Sequence, residues 1–351
     1  MTPEERLHHI LAIHLDPNDG TPYWLERQAA LGFDIPAQIR CLEDLARLGP
    51  MPENELAERP IEDFIPGVYA SRQDILLAQT GGSLGRPKFA VHRSDEFENA
   101  FVLPFVQAAE HVGFPRQGHW LFIGPTGPHI IGRAARACAR VYGKGDVFSI
   151  DFDPRWAKKL VSGSFAARRN LEHILDQSLH ILHTQRIEIL FTTPVVLTCL
   201  WLDMSPPERQ RIRGIHLGGM AVKSEFMAQL TEAFPQAVVL SGFGNTLLGM
   251  APQLAYAPET GMDYFVYGER LIAQMMQERE EQVLLNQPVA YGQRGRLVWH
   301  RLDEMQMLIN LVERDTAIRI EPIALPGFVG DGLRDPRPVV NEVVKPSIGL
   351  Y

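Results

Sequence analysis

The most informative stretch of this sequence is segment 80–88, Thr-Gly-Gly-Ser-Leu-Gly-Arg-Pro-Lys. Its glycines allow several backbone N–H groups to point into one concavity, and its Thr and Ser hydroxyls add further donors. Lys88 adds a mobile positive charge that suits a phosphate group. The apolar runs on either side, 74–79 and 89–92, predict a short buried strand and a second strand. The segment therefore predicts a phosphate-binding loop between two strands.

Two other interpretations of this loop must be compared with that one. A Walker loop needs Gly-x-x-x-x-Gly-Lys-Ser/Thr directly before a helix, whereas here Arg86 and Pro87 separate Gly85 from Lys88 and an extended segment follows. An ordinary hairpin loop stays open as an interpretation, because Gly and Ser also concentrate in turns for conformational reasons. The segment alone therefore leaves a phosphate loop and a hairpin turn as alternatives.

Composition restricts the class of protein. The chain has 351 residues, of which 45% are hydrophobic, enough for one large domain or two ordinary ones. A formal net charge of -8 argues against a nucleic-acid or anionic-membrane surface, which needs clustered Lys and Arg. No apolar run approaches the roughly 18 residues of a membrane-spanning helix, and the charged N-terminus is unlike a secretion signal.

Cysteine usage indicates the compartment. Cys41, Cys138 and Cys199 are far apart and lack Cys-x-x-Cys or His-rich neighbours. They predict neither a disulfide framework nor a zinc site. We therefore expect a cytoplasmic protein without a metal site built from its own ligands.

Alternating apolar patterns predict an α/β fold. We expect a helical cap over 1–60, a nucleotide-binding core over 61–245, a β-rich subdomain over 246–335 and an irregular Pro-rich tail over 336–351. The predicted core strands are 120–124, 147–150, 187–192, 215–217 and 237–240, and the predicted core helices are 130–142, 170–185 and 224–234, the last with Ser224 as N-cap. This alternation predicts a mostly parallel sheet layered with helices, whose strand ends converge on one crevice.

Four later segments help to decide what segment 80–88 binds. They are Leu217-Gly218-Gly219-Met220, Phe243-Gly244-Asn245-Thr246-Leu247, Arg294-Gly295-Arg296-Leu297-Val298 and Val312-Glu313-Arg314-Asp315. In this order they resemble the Gly-Gly turn, the Tyr-Gly-x-Thr-Glu segment, the Gly-Glu-Leu-Val strand and the Tyr-Arg-Thr-Gly-Asp ending of the adenylate-forming superfamily of acyl-CoA synthetases, adenylation domains and luciferases. Segment 36–45 is similar to phenylacetate-CoA ligases, and segment 16–25 to the phenazine-antibiotic biosynthesis proteins, a compact branch of that superfamily. The resemblance covers roughly residues 20 to 335.

The resemblance implies a fold and a nucleotide site. The fold is the large N-terminal domain of these enzymes; the small C-terminal lid domain with its catalytic lysine is expected to be absent. In this family the loop holds the β- and γ-phosphates of ATP, while Phe243 would stack on adenine and Asp315 would accept both ribose hydroxyls. The implied nucleotide-binding residues are Thr80, Gly81, Gly82, Ser83, Gly85, Lys88, Gly218, Gly219, Met220, Phe243, Gly244, Asn245, Thr246 and Asp315, with Lys88 and Thr246 as the catalytic pair.

The resemblance also implies an acyl pocket. Its expected lining is Phe122, Gly124, Thr126, His129, His216 and Phe243, a flat aromatic slot that suits an aryl carboxylic acid. A histidine near an apolar strand is commonly structural, so His129 and His216 keep that alternative. The expected partners are the aromatic acid and an acceptor or lid protein; a homodimer is also allowed.

Two residues depart from the family pattern. Leu247 stands where the family has a magnesium-binding glutamate, and a leucine offers no oxygen ligand. Mg²⁺ would then have to rest on the phosphates, water and another carboxylate. Leu84 replaces a hydroxyl in the loop and so removes one phosphate donor.

Three functions follow from these observations. The first is ATP-dependent activation of an aromatic carboxylic acid as its acyl-adenylate, in phenazine-type antibiotic biosynthesis. The second is a degenerate protein that binds a nucleotide or an aryl acid without chemistry. The third is a dinucleotide oxidoreductase, because Gly242-x-Gly244 follows a predicted strand; Gly249, however, comes two positions too late for the Gly-x-Gly-x-x-Gly fingerprint.

Overall fold

The structure, a computed structural model, describes residues 1–52, 54–81 and 86–339. The predicted phosphate-binding residues Gly82, Ser83 and Gly85, the position of Leu84, and most of the predicted tail lie outside the described residues. None of the helices in the described ranges is both long and apolar enough to cross a membrane.

Helices occupy residues 3–69, helices and strands alternate over residues 75–233, and strands alone follow over residues 238–338. The α-helices are α1 (Pro3–His14), α2 (Pro22–Leu31), α3 (Ile35–Gln38), α4 (Glu55–Glu58), α5 (Ser94–Phe97), α6 (Leu103–Val112), α7 (Ile130–Tyr142), α8 (Pro154–Lys159), α9 (Phe165–Thr184), α10 (Pro194–Asp203), α11 (Pro206–Arg211) and α12 (Ser224–Ala233). The strands are β1 (Ile75–Gln79), β2 (Phe89–Arg93), β3 (Trp120–Ile123), β4 (Phe148–Ile150), β5 (Ile189–Thr192), β6 (Gly214–Leu217), β7 (Val238–Asn245), β8 (Gly249–Ala257), β9 (Gly261–Tyr264), β10 (Leu271–Arg279), β11 (Gln282–Pro288), β12 (Arg294–Leu302), β13 (Met307–Ile320) and β14 (Gly332–Pro338). A π-helical turn, Glu98–Val102, joins α5 to α6, and short 3₁₀ turns cover Leu42–Leu48, Ile61–Phe64 and Gly67–Tyr69.

Most strands form one twelve-stranded sheet in the order β11-β10-β12-β13-β14-β9-β8-β7-β6-β5-β3-β4. Strands β4, β3, β5, β6 and β7 are parallel. Each residue of β3, β5 and β6 is buried, as expected for parallel strands covered on both faces by helices. The predicted α/β class is confirmed. The β-rich half is antiparallel and continues the same sheet, so the parallel arrangement applies to residues 120–241 only.

Strand β7 carries the chain from the parallel half to the antiparallel half. Its residues 238–241 pair with β6, while residues 242–245 pair with β8. Gly244 is required at this junction, because a Cβ there would lie only 1.9 Å from the carbonyl oxygen of Gly249. The short turn 246–248 that follows lies at the carboxyl end of the parallel strands.

The N-terminal helices pack on the antiparallel half. The indole Nε1 of Trp24 donates to the carbonyl of Met307 at 3.0 Å. The side-chain amide of Asn310 donates to the carbonyls of Leu45 and Gly49. These contacts attach the segment predicted as a helical cap to strand β13.

Three local predictions need correction. Strand β1 is only partly buried: Leu77 is 53% exposed, because β1 pairs with β2 alone in a separate two-stranded ribbon that has one exposed face. Helix α12 has Lys223 as N-cap, without a side-chain cap, rather than Ser224. The predicted irregular tail begins as strand β14, since its two prolines lie where β9 no longer pairs with that strand and no ladder N–H is needed.

Candidate functional site

A cavity of about 1090 Å³ lies at the carboxyl ends of strands β5, β6 and β7. Twelve of the predicted site residues line it: Thr80, Gly81, Lys88, His129, His216, Gly218, Gly219, Phe243, Gly244, Asn245, Thr246 and Asp315. This is the position at which open α/β sheets bind ligands. The predicted crevice therefore exists, and segments far apart in the sequence meet there.

The two ends of segment 80–88 are held together at the cavity. The backbone N–H of Thr80 donates to the carbonyl of Lys88, and the N–H of Lys88 donates to the Thr80 hydroxyl, both at 2.9 Å. Strands β1 and β2 pair as an antiparallel hairpin on either side. The hairpin interpretation is thus correct for the flanking strands, and the same hairpin presents Thr80 and Lys88 to the cavity. Burial lowers the pKa of Lys88, which the nearby Glu313 partly offsets.

Asn245 organises the turn between β7 and β8. Its Oδ1 accepts hydrogen bonds from the N–H groups of Leu247 and Leu248, at 2.9 and 3.1 Å. Its Nδ2 donates to Glu313 Oε1 at 2.6 Å. The polar atoms of this side chain are therefore engaged in ordering the turn and fixing a neighbouring carboxylate.

Two carboxylates from strand β13 form the acidic part of the cavity. Burial raises the pKa of Glu313, and the adjacent Asp315 raises it further. Burial also raises the pKa of Asp315, against the opposing charges of Arg314 and Arg296. The sequence resemblance implies a role for Asp315 and none for Glu313, although both belong to segment 312–315.

A buried ionic cluster holds the turn 246–248 in place. Arg301 and Arg270 donate to the carbonyls of Leu247 and Leu248, at 2.9 and 2.8 Å. Both guanidinium groups also donate to Asp303. Burial alone would raise the pKa of Asp303, but the two arginines hold it well below its usual range. The cluster fixes the backbone that lines the cavity.

His92 connects this cluster to Thr246. Its Nδ1 accepts a hydrogen bond from Arg301 at 3.1 Å, so its Nε2 carries the proton and donates to the carbonyl of Thr246 at 3.2 Å. Burial lowers the pKa of His92 well below its usual value. The ring is therefore neutral and serves as a fixed donor to the turn.

The inner end of the cavity is apolar. His216 packs against Phe191 with ring centroids 4.2 Å apart, and its Nδ1 donates to the carbonyl of Leu240 at 2.9 Å. Burial lowers the pKa of His216 to about 4. The neutral ring thus keeps Nε2 as an acceptor. Phe101, Ile130, Ala134 and Met250 complete this apolar end.

Phe243 lines the cavity from strand β7. Its ring lies 5.9 Å from that of Tyr264 and 6.3 Å from that of Trp299, measured between centroids. Gly218 and Gly219 follow strand β6 nearby, and Gly219 adopts a φ of 77°, which favours glycine.

Four predicted site residues do not line the cavity: Phe122, Gly124, Thr126 and Met220. Phe122 is fully buried and packs against Phe191 at 5.2 Å, so it supports the cavity wall from behind. Gly124 lies against that ring, where a Cβ would meet it at 2.6 Å. The N–H of Thr126 donates to Asp151 instead. Counting along β3 alone could not tell which face points to the cavity.

Several cavity residues had no signal in the sequence. Lys158 comes from the short helix α8, and Phe191 and Trp299 come from strands β5 and β12. Their residue types are ordinary for the interior or surface of any α/β protein. Only the packing of α8 beside segment 80–88 brings Lys158 to the site.

The residue at the family's usual metal position does not suit a metal ion. Leu247 is 2% exposed and packs in the main hydrophobic core, so its side chain offers nothing to a metal. Within the described ranges no group of three or more metal-ligating side chains occurs.

The dinucleotide interpretation is wrong, because Gly242-x-Gly244 lies inside β7 and leads into strand β8, whereas that fingerprint must open a helix.

Comparison with protein-family models and with curated protein sequences gives no match. Solved structures do match. An open conformation of 2-hydroxyisobutyryl-CoA ligase in complex with 2-HIB-AMP and CoA aligns with a TM-score of 0.68 at 17% identity, over 94% of this chain and 72% of that chain. The same ligase in the postadenylation state with R3-HIB-AMP gives 0.68 at 16% identity, over 95% and 65%. Its thioesterification state gives 0.66 at 18% identity, over 95% and 66%.

These alignments show a shared fold. The structural neighbours are structures of a CoA ligase, and nearly all of this chain aligns with them. The chain spans about two thirds of their length, from 65% to 72% in these alignments. The fold expected for residues 20–335, that of the large domain of these enzymes, is confirmed.

Proposed function

We propose that this chain uses ATP to activate a carboxylic acid as its acyl-adenylate. One observation carries the proposal: a single cavity joins the ends of the glycine-rich segment, an acidic edge and an apolar aromatic end. Thr80 and Lys88 would take the phosphates, Asp315 the ribose hydroxyls, and the surroundings of His216 the acid.

The chemistry is a displacement at phosphorus. A carboxylate oxygen attacks the α-phosphorus, a new P–O bond forms, and the bond to pyrophosphate breaks with its electron pair leaving on the pyrophosphate. Such a reaction depends on positioning and charge stabilisation more than on covalent catalysis. Lys88 would stabilise the leaving group, and Thr246, held from behind by His92, would contact the α-phosphate.

Magnesium bound with the triphosphate would neutralise part of its charge and orient it. Because Leu247 is buried in the core, we assign the metal to the phosphates, water and the carboxylate of Glu313. Glu313 lines the cavity and is fixed by Asn245. One or two carboxylates together with phosphate oxygens are the usual protein environment of Mg²⁺.

For the acid we propose an aromatic carboxylic acid. Phe191, Phe243 and His216 all line the cavity and provide flat surfaces for a ring. The similarity of segment 16–25 to phenazine-antibiotic biosynthesis proteins favours a role in that class of pathway, in the cytoplasm. The further partner that we propose is the acceptor of the acyl group or a protein that supplies a lid domain, and the active form is a monomer or a homodimer.

Exchange between pyrophosphate and ATP across a panel of aryl acids tests the proposal. We expect acid-dependent exchange, lowered at least about tenfold by Lys88→Gln because a charge-assisted contact to phosphate is lost. Lys144→Gln is the matched control, since Lys144 is exposed and lies outside the cavity. Absence of exchange with every acid, despite bound nucleotide, would contradict the proposal.

The second candidate is a protein that binds nucleotide or aryl acid without turnover. The buried position of Leu247, at the family's usual metal position, favours it. The two candidates differ in one measurement: acid-dependent exchange by the unaltered chain eliminates the second, and binding without exchange eliminates the first.

A further inference from the structure

Lys158 is a half-buried lysine whose ammonium group has no hydrogen-bond partner among the described residues. Its Nζ is shielded from solvent, yet among the residues that the structure describes it makes no hydrogen bond. The residue lies on helix α8 and lines the same cavity as Lys88 and Thr80. An ammonium group removed from water without a partner is costly, so its presence needs an explanation.

The position of Lys158 relates it to the glycine-rich segment. A Cβ built on Gly81 would lie 3.8 Å from Lys158 Nζ. Gly81 is the first glycine after Thr80, whose hydroxyl closes the base of the loop. Lys158 thus reaches the beginning of this segment from a separate element, while Lys88 stands at its end.

The charged groups near Lys158 do not neutralise its positive charge. Burial lowers the pKa of its ammonium group, and the positive charge of Arg314 lowers it further. Glu58, Glu313 and Asp315 also line the cavity, but none of these carboxylates contributes to the pKa of Lys158. The phosphates of a ligand in the cavity would supply the missing counter-charge.

A second unsatisfied atom lies beside the same segment. His129 is 6% exposed, and its Nε2 is buried without a hydrogen-bond partner among the described residues. The preceding Pro128 accepts a hydrogen bond from the N–H of Gln79 at 2.9 Å, two residues before Gly81. Two buried polar atoms without partners thus adjoin residues 79–81 and face one cavity.

We propose that Lys158 binds the terminal phosphates of the nucleotide, as a second lysine beside the glycine-rich segment. The inference rests on the proposed function for the identity of the nucleotide. A compact ammonium group suits the most highly charged part of the ligand, and in ATP that part is the terminal phosphates rather than the α-phosphate. ATP and pyrophosphate should depend on Lys158, whereas AMP should not.

Calorimetric titration of ATP, pyrophosphate and AMP into Lys158→Gln tests the inference. We expect the affinity for ATP and pyrophosphate to fall at least about tenfold and the affinity for AMP to change less than about twofold. The matched control is Lys159→Gln, which removes the same charge from the next, exposed residue outside the cavity. It should leave all three affinities unchanged.

A melting curve without ligand separates binding from folding. Because Lys158 has no hydrogen bond to lose within the described part of the chain, Lys158→Gln should melt at or above the temperature of the unaltered chain. A lower melting temperature together with equal losses for ATP and AMP would overturn the inference, as would an effect of Lys159→Gln equal to that of Lys158→Gln.

The two proposals can fail separately. If no acid supports exchange but Lys158→Gln still weakens pyrophosphate binding, the adenylation proposal fails and the phosphate-binding role of Lys158 stands. If exchange is present and Lys158→Gln binds ATP and pyrophosphate normally, the role of Lys158 fails alone. Absence of both ATP and pyrophosphate binding by the unaltered chain overturns the inference.

Discussion

The side-chain amide of Asn245 donates a 2.6 Å hydrogen bond to Glu313 and so joins the end of strand β7 to strand β13. The same side chain accepts from the backbone N–H groups of Leu247 and Leu248. One residue therefore orders the turn 246–248 and fixes a carboxylate whose pKa is raised by burial. Both functions affect the shape of the cavity.

Asn245→Ala should lower both stability and nucleotide affinity. The variant removes one donor to Glu313 and the acceptor of two turn N–H groups, which costs about 1–3 kcal/mol in the free energy of unfolding. Urea unfolding and calorimetry with ATP measure the two effects. Asn286→Ala, at an exposed position, is the control and should stay within about 0.5 kcal/mol. Equal behaviour of the two variants would contradict the assigned role.

Asp303→Asn should be strongly destabilising. Asp303 is fully buried and neutralises Arg270 and Arg301, with N–O distances of 2.6 and 2.7 Å. Removing its charge leaves two buried cations and should cost about 3–5 kcal/mol. Chemical denaturation measures the loss. Asp74→Asn breaks only an exposed pair with Arg72 and should cost about 1 kcal/mol or less; a similar small loss at Asp303 would refute the prediction.

Leu247→Glu should destabilise the protein rather than create a metal site. The side chain is 2% exposed and belongs to the main core, so the substitution buries a carboxylate and removes apolar contacts. We expect the free energy of unfolding to fall by about 3 kcal/mol or more. Leu247→Met conserves volume and should cost less than about 1.5 kcal/mol. Because Leu247 also borders the cavity, a stable Leu247→Glu variant with magnesium-dependent exchange would contradict this prediction.

Stability should fall steeply below pH 6.5. Burial lowers the pKa of His14 and His216 to about 4 and that of His300 to about 3. As pH falls from 6.5 towards 4, these histidines bind protons in the unfolded chain but stay neutral in the folded chain. The free energy of unfolding therefore decreases over that range. Each such histidine contributes up to about 1.4 kcal/mol per pH unit. Glu313 and Asp315, whose pKa values are raised in the folded chain, have the opposite effect on the free energy of unfolding as pH falls.

Urea unfolding at pH 7.5, 6.5, 5.5 and 4.5 measures this dependence. His300→Gln removes one titrating group and should reduce the slope below pH 6.5, whatever it does to the absolute stability. Above pH 7 the free energy of unfolding should be nearly constant. A flat profile between pH 6.5 and 4.5 would contradict the buried neutral state of these rings.

The core strands were predictable because each is a short apolar run bounded by turn residues. Strands β3, β5 and β6 are buried throughout, and their sequence shows it directly. The lining of the cavity was predictable where backbone chemistry marks it, at Thr80, Gly219 and Gly244. It was not predictable where a side chain reaches the cavity by packing alone, as Lys158 and Glu313 do.

The sequence by itself determined the α/β class, the position of most strands and the presence of a glycine-rich hairpin, because these depend on local periodicity and backbone freedom. Tertiary structure alone decided which side chains share the cavity. Lys88 lines it because its backbone pairs with Thr80, and Lys158 lines it because its Nζ lies beside Gly81. Phe122 is excluded because its ring packs behind Phe191. Long-range packing fixes such relations, and no local pattern records them.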